Sequence, residues 1–120
     1  MIRNLLLVGA GGALGSVARY MLTILLAHFA ICGEIATFLV NVIGSFLIGL
    51  LIPMLSNGNY LFAVVGVCGG FTTFSTFSSQ ALNLFQNGER QAALVYMIAS
   101  VVISLLAVLL GMYVAGKFVK

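Results

Sequence analysis

Long apolar stretches alternate with short polar ones along the whole chain. Four apolar segments run over residues 5–29, 35–55, 60–85 and 92–118, and each is long enough to cross a hydrocarbon core of about 30 Å. The separators carry turn-forming residues, as in Ser56-Asn57-Gly58-Asn59, and Pro53 falls at the end of the second segment, where it disturbs a helix least. The pattern predicts four transmembrane helices in a single domain that covers residues 1–120.

Composition supports a membrane protein and excludes most other classes. Of the 120 residues, 62% are apolar and only 6% are charged, whereas a soluble domain carries about 25% charged residues. Five Lys and Arg, two acidic residues and one His are too few for a nucleic-acid face, a carboxylate pair or a His-rich metal site. We therefore expect no enzyme, and we expect Cys32 and Cys68 to be lone apolar residues instead of a disulfide.

The distribution of basic residues gives little guidance on orientation. Four spans place both termini on one side, with Arg3, Lys117 and Lys120, while Arg19 and Arg90 belong to the other side. Because orientation follows the asymmetry of Lys and Arg, so weak a bias leads to the hypothesis that the chain inserts both ways and pairs antiparallel with itself. A single fixed orientation is the alternative.

Polar side chains inside the spans are informative because lipid makes them costly. Two spans carry such residues at i, i+4 and i+8, which places them on one helix face. These stripes are Thr37, Asn41 and Ser45 in the second span and Tyr96, Ser100 and Ser104 in the fourth. Asn41 is the strongest member, since its amide needs a partner outside its own helix, either a neighbouring helix or a permeating ligand.

The third span contains the densest polar run, Gly69-Gly70-Phe71-Thr72-Thr73-Phe74-Ser75-Thr76-Phe77-Ser78-Ser79, with six hydroxyls in the eight residues from Thr72. Paired glycines followed by paired threonines form helix poorly, so we predict a break near mid-membrane. Irregular backbone there must line a cavity or be buried in protein, and it exposes groups that bind ions. Phe74 and Phe77 lie three residues apart and therefore share one helix face. Their rings either pack in the core of the protein or turn their positive edges toward an anion.

Together these residues resemble the CrcB/Fluc fluoride channels of bacteria. The resemblance covers essentially the whole chain, and its most specific part is the run from Gly69 to Ser78. The first span contributes Gly12-x-x-Gly15-x-x-x-Arg19-Tyr20, and the second contributes Thr37-x-x-x-Asn41-x-x-Gly44-Ser45-Phe46-x-x-Gly49.

The resemblance implies passive, electrodiffusive export of fluoride across the bacterial plasma membrane, and hence fluoride resistance. It implies an antiparallel, dual-topology homodimer with two pores, each lined by both subunits. It also implies a structural Na⁺ at the dimer centre, held by the main-chain carbonyls of Gly69 and Thr72. Hard oxygen ligands suit such a cation.

The resemblance further implies the residues of the fluoride pathway. Phe74 and Phe77 match the family's pore phenylalanines, Asn41 matches its pore amide, and Gln80 stands where many members carry glutamate, so that only a hydrogen-bonding role remains for it. The full pathway would comprise Arg19 near a vestibule together with Thr37, Asn41, Phe74, Ser75, Thr76, Phe77, Tyr96, Ser100 and Ser104.

Two other functions compete with the channel. A small proton-coupled multidrug exporter also has four short spans, but it needs a titratable carboxylate within the membrane. The chain's two acidic residues, Glu34 and Glu89, fall in predicted loops, which argues against that function. In the third candidate, a non-transporting assembly subunit, the polar stripes serve only to pack helices.

Overall fold

The computed structural model describes residues 1–31 and 33–118, and within these ranges its regular structure is entirely helical. Cys32 and Lys120 lie outside the described residues. The expectation that no disulfide forms partly depends on Cys32, and the expected weak asymmetry of basic residues partly depends on Lys120. The helices are α1 (Ile2–His28), α2 (Glu34–Leu51), α3, α4 (Phe74–Gln86) and α5 (Arg90–Phe118). The helix α3 is composite: a first turn, Asn57–Tyr60, continues into a π-helical stretch, Leu61–Cys68, and a last α-helical turn, Gly69–Phe71.

Four helical segments are long and apolar enough to cross a membrane, which confirms the predicted all-helical, four-span architecture. They are Ile2–His28, Glu34–Leu51, Asn57–Gln86 and Arg90–Phe118. The third segment comprises α3 and α4 in succession. Cys68, the last residue of the π-helical stretch, is a buried free thiol.

The helices α1 and α3 pack backbone against backbone. A Cβ added at Gly11 would overlap the carbonyl oxygen of Phe62, and one added at Gly15 would overlap that of Val67. The contacts advance in the same direction along both helices, so the two helices run parallel. Small residues at this spacing let helices approach closely in lipid, and here they hold α3 against α1 up to the end of α3.

A second glycine contact joins α2 to α5. A Cβ at Gly49 would overlap the carbonyl oxygen of Val108, and one at Gly111 would overlap the carbonyl oxygen of Phe46. The bundle therefore consists of two closely packed pairs, α1 with α3 and α2 with α5. The short helix α4 packs mainly on α5.

Regular helix is interrupted between α3 and α4. Thr72 (φ −83°, ψ 160°) and Thr73 (φ −146°, ψ 114°) are extended. The N–H of Thr76 donates to Thr73 Oγ1 at 3.2 Å, so Thr73 is the N-cap of α4. On α2, Gly44 leaves room for this segment, since a Cβ there would overlap Thr72 Cγ2.

Candidate functional site

The side chain of Asn41 joins α2 to the interruption between α3 and α4. Its Nδ2 donates to the carbonyl oxygen of Thr73 at 3.0 Å, and the N–H of Thr73 donates to Asn41 Oδ1 at 2.7 Å. Both backbone groups of Thr73 are thus satisfied by one amide, as buried backbone groups outside a helix require. The partner that Asn41 was predicted to need is the backbone of the third span.

A cavity of about 280 Å³, which we call the phenylalanine cavity, lies beside this pair. It brings together five of the residues predicted for the pathway, namely Asn41, Phe74, Phe77, Ser100 and Ser104. Ser45, the last member of the α2 stripe, also lines it, together with Gly44, Ile48, Thr72, Thr73 and Val101. Its wall therefore combines hydroxyls, an amide and aromatic rings, and none of the lining residues is acidic.

Ser100 has an unsatisfied hydroxyl in this cavity. The residue is only 6% exposed, and its Oγ makes no hydrogen bond to the described residues. A serine in a transmembrane helix ordinarily donates to the carbonyl four residues before it, and a buried polar group without a partner costs about 1–3 kcal/mol. An unpaired hydroxyl at this position is a donor available to a ligand in the cavity.

Three aromatic rings form a row from α4 to α5. The ring centroids of Phe74 and Phe77 are 5.7 Å apart with an interplanar angle of 47°, and those of Phe77 and Tyr96 are 5.1 Å apart at 49°. Tilted pairs at these distances bring the positive edge of one ring toward a neighbouring face. Phe74, at the end of the row, is 79% exposed within the single chain.

A second cavity of about 350 Å³, which we call the arginine cavity, lies between α1, the start of α2 and α4. Three more predicted residues, Arg19, Thr37 and Thr76, line it. Arg19 Nε donates to the carbonyl oxygen of Gly70 at 3.1 Å, which anchors the guanidinium at the end of α3. The other lining residues are Ser16, Tyr20, Thr23, Gly33, Ala36, Val40, Thr73 and Gln80.

The two cavities share Thr73 as a wall. Along α2, Thr37 lines the arginine cavity, whereas Asn41 and Ser45 line the phenylalanine cavity. The predicted α2 stripe therefore extends along both cavities. The hydrogen-bonded pair of Asn41 and Thr73 lies at the boundary between the two cavities. An ion that followed the stripe would pass this pair.

Two predicted pathway residues lie elsewhere. Tyr96 is buried and lines neither cavity, and its hydroxyl donates to Gln80 Oε1 at 2.8 Å. Ser75 is exposed, lines neither cavity, and has its Oγ 3.5 Å from Thr73 Oγ1. Both residues are near the site without contributing to its walls in the single chain.

The interruption also changes the hydrogen bonding of two backbone carbonyls. In a continuous helix the N–H of Thr73 would donate to the carbonyl oxygen of Gly69, but here it donates to Asn41 Oδ1. The N–H of Thr76 would donate to the carbonyl oxygen of Thr72, but here it donates to Thr73 Oγ1. The carbonyls of Gly69 and Thr72 thus lose their helical donors. They are hard oxygen ligands, so the donor set fits a hard cation such as Na⁺.

Thr73 is the residue whose importance the sequence did not reveal. It caps α4, pairs with Asn41 and lines both cavities. Two features of the sequence could have indicated this role. Threonine is preferred at N-cap positions, and Asn41 needs a hydrogen-bond partner outside its own helix. The pairing itself depends on how α2 lies against the third span.

Comparison of the sequence with known proteins identifies one family and several relatives. Residues 6–112 match the family model described as CrcB-like protein, Camphor Resistance (CrcB). The fluoride-specific ion channel FluC of Methylobacterium radiotolerans is 45% identical over 94% of this chain and 85% of its own length. The FluC proteins of Elusimicrobium minutum (42% identical; 99% and 98% covered) and Azobacteroides pseudotrichonymphae (36%; 98% and 99%) match similarly. The chain belongs to the CrcB-like family.

Proposed function

We propose that the chain is a fluoride-selective channel of the bacterial plasma membrane that exports fluoride passively. One observation carries the proposal: the phenylalanine cavity combines an amide, the unpaired Ser100 hydroxyl and two phenylalanine rings without an acidic residue. Donors of this kind attract an anion. Relatives with 36–45% identity over most of their length are named fluoride-specific ion channels.

The properties of fluoride explain why such a wall would suit it. Fluoride is small and strongly hydrated, so a pore must replace its water with several fixed donors. Amide, hydroxyl and ring-edge hydrogens do this without a strongly binding cationic pocket, so that the ion leaves as readily as it enters. Arg19 would instead act in the arginine cavity, where its positive charge raises the local concentration of anions.

The direction of transport follows from the membrane potential. Hydrogen fluoride enters from acidic surroundings, ionises in the more neutral cytoplasm and is trapped there as the anion. A potential of 100 mV is worth about 2.3 kcal/mol per charge and drives an anion outward through any selective passive pathway. A channel is therefore sufficient for fluoride resistance.

A second copy of the chain would complete the site. Ser75, Thr76, Ser78 and Ser79 are exposed on α4 beside the exposed ring of Phe74. Hydroxyls within a span are rarely left to face hydrocarbon, so this surface supports the proposed antiparallel homodimer. Each pore would then be lined by both subunits.

The carbonyl pair at the interruption supports a central Na⁺ in that dimer. Gly69 is exposed and, like Thr72, has a carbonyl without its helical donor. One chain offers too few oxygens to surround a cation, but a two-fold arrangement would bring the same pair from each copy. The ion would hold the two interruptions together.

We expect the dimer to have dual topology, and we expect its stability to depend on Na⁺. To test the topology, a reporter cysteine replaces exposed Asn87 in a variant in which Cys32 and Cys68 are alanine, and its labelling is measured both in intact cells and in inverted membrane vesicles. An impermeant thiol reagent should label part of the protein from each side of the membrane, and labelling from one side only would exclude dual topology.

Purification with N-methylglucamine in place of Na⁺ should lower the fraction of the protein that is dimeric. An unchanged dimer fraction would argue against a structural role for Na⁺.

Fluoride release from proteoliposomes tests the channel function itself. With a potassium ionophore present to balance charge, an ion-selective electrode should record rapid fluoride release and negligible chloride release. Absence of fluoride release from folded, dimeric protein would overturn the proposal and favour the proton-coupled exporter or the assembly subunit.

The same assay separates the channel from a proton-coupled exporter. Glu34 was predicted to lie in a loop but is the first residue of α2, and Glu89 directly precedes α5, so both acidic side chains lie at helix ends. An exporter needs a carboxylate that exchanges protons within the membrane. The variant Glu34→Gln/Glu89→Gln should therefore keep its fluoride flux, and a complete loss of flux would favour the exporter.

A further inference from the structure

Tyr96 is held by two residues that lie one turn apart on α4. Its hydroxyl donates to Gln80 Oε1 at 2.8 Å, and its ring lies 5.1 Å from the ring of Phe77. Phe77 and Gln80 are three residues apart and therefore share a helix face. Because its proton is donated to Gln80, Tyr96 contributes a ring beside Phe77 and no free O–H donor.

The orientation of the Phe77 ring depends on these neighbours. The torsion that turns a phenylalanine ring about its Cβ bond is broad, so a ring with few contacts presents face and edge alternately. Phe77 is confined between Phe74 at 5.7 Å and Tyr96 at 5.1 Å. Only the ring edge is attractive to an anion, and so the orientation decides what the phenylalanine cavity offers.

The position of Tyr96 depends in turn on Gln80. Tyr96 is 9% exposed, and a buried tyrosine keeps its position when its hydroxyl has a partner. Gln80 supplies that partner and also lines the arginine cavity. The contacts from Gln80 through Tyr96 to Phe77 therefore link the two cavities by side chains, separately from the pair formed by Asn41 and Thr73.

We propose that Gln80 is a positioning residue for permeation: its amide oxygen fixes Tyr96, whose ring holds Phe77 with its edge toward the phenylalanine cavity. The inference rests on the proposed fluoride function, because ring orientation matters to flux only if an anion passes. It assigns Gln80 a role through Tyr96 instead of direct contact with the ion.

A double-mutant cycle with Gln80→Leu and Tyr96→Phe tests the coupling. Each single variant removes the same hydrogen bond, and fluoride release from proteoliposomes should fall by about five-fold, the factor that corresponds to one ordinary hydrogen bond. The double variant should fall no further than either single variant. Gln86→Leu and Tyr113→Phe, which change exposed residues of α4 and α5, are the matched controls and should leave flux unchanged.

A second measurement reports the ring directly. In protein carrying ¹³C-labelled phenylalanine, the Phe77 ring resonance is identified by its absence from Phe77→Leu. It should shift in Gln80→Leu and Tyr96→Phe but keep its position in Gln80→Glu, which retains the acceptor oxygen. Gln80→Glu serves as the conservative variant because it keeps both the acceptor oxygen and the shape of the side chain. Tyr96→Phe, which removes only the hydroxyl, decides whether the hydrogen bond or the general packing of Gln80 matters.

The two readouts distinguish failure of this proposal from failure of the channel function. If the wild-type protein conducts fluoride, additive losses in the double variant or an unmoved Phe77 resonance would overturn the role of Gln80. If the wild-type protein releases no fluoride, the channel function fails. The Phe77 resonance still decides then whether Gln80 positions the ring.

Discussion

Asn41→Asp should lower fluoride release by about 100-fold or more. The new carboxylate would lie on the wall of the phenylalanine cavity, beside the path of an anion. Two like charges about 4 Å apart repel by about 4 kcal/mol at the effective dielectric constant of a protein near its surface, which exceeds the energy of a 100-fold change. The substitution also removes the donor to the carbonyl oxygen of Thr73. Release from proteoliposomes containing equal amounts of dimer measures the effect.

Comparison with Asn41→Ala separates the two roles that Asn41 combines. Alanine removes both hydrogen bonds to Thr73 and adds no charge, whereas aspartate still accepts from the N–H of Thr73. If Asn41 lies on the ion path, the aspartate variant should conduct less than the alanine variant. The opposite order would show that Asn41 only braces the interrupted helix. Asn87→Asp, an exposed change beyond the end of α4, controls for added charge.

Phe77→Ile should lower fluoride release by about ten-fold while the dimer still forms. Isoleucine is apolar and branched and occupies much of the same volume, but it has no ring edge to face an anion. The ring-specific part of an aromatic interaction is about 0.5–1.5 kcal/mol, and the upper end of this range corresponds to about ten-fold. The same fall is expected for Phe74→Ile, because both rings line the phenylalanine cavity.

Phe85→Ile is the matched control for these substitutions. Phe85 also lies on α4, but it does not line the phenylalanine cavity, and the guanidinium carbon of Arg90 lies 5.3 Å from its ring centroid. Its replacement should leave flux unchanged. Wild-type flux in both Phe74→Ile and Phe77→Ile would exclude the ring-edge contribution, and a loss in Phe85→Ile as well would indicate general damage to α4.

The four spans could be predicted because lipid leaves few alternatives. Backbone groups in hydrocarbon must be satisfied within their own segment, so a long apolar run has little choice but helix. The stripe on α2 was equally readable, since i and i+4 positions share a face whatever packs against them. In the structure this face lines the phenylalanine and arginine cavities in succession.

Tertiary partners could not be predicted in the same way. Asn41 was expected to need a partner, but nothing in the sequence indicated the backbone of Thr73. The hydroxyl of Tyr96 was assigned to a track along the pathway, whereas it donates to Gln80. The π-helical stretch Leu61–Cys68 also had no local signal, because its residues suit an α-helix as well. These features depend on the relative placement of helices, which hydropathy does not encode.

The unpaired hydroxyl of Ser100 bears on how quickly an ion could leave. A fixed cation would hold fluoride by a charge that persists after every departure, and dwell times would be long. A serine hydroxyl carries no net charge and turns about a single bond, so that it presents its hydrogen to an anion and its lone pairs to a water molecule that follows. When a fluoride ion leaves, a water molecule would then bind to the Ser100 hydroxyl in its place. The rate of conduction would be limited by this exchange of fluoride for water, and not by slow dissociation from a fixed positive charge.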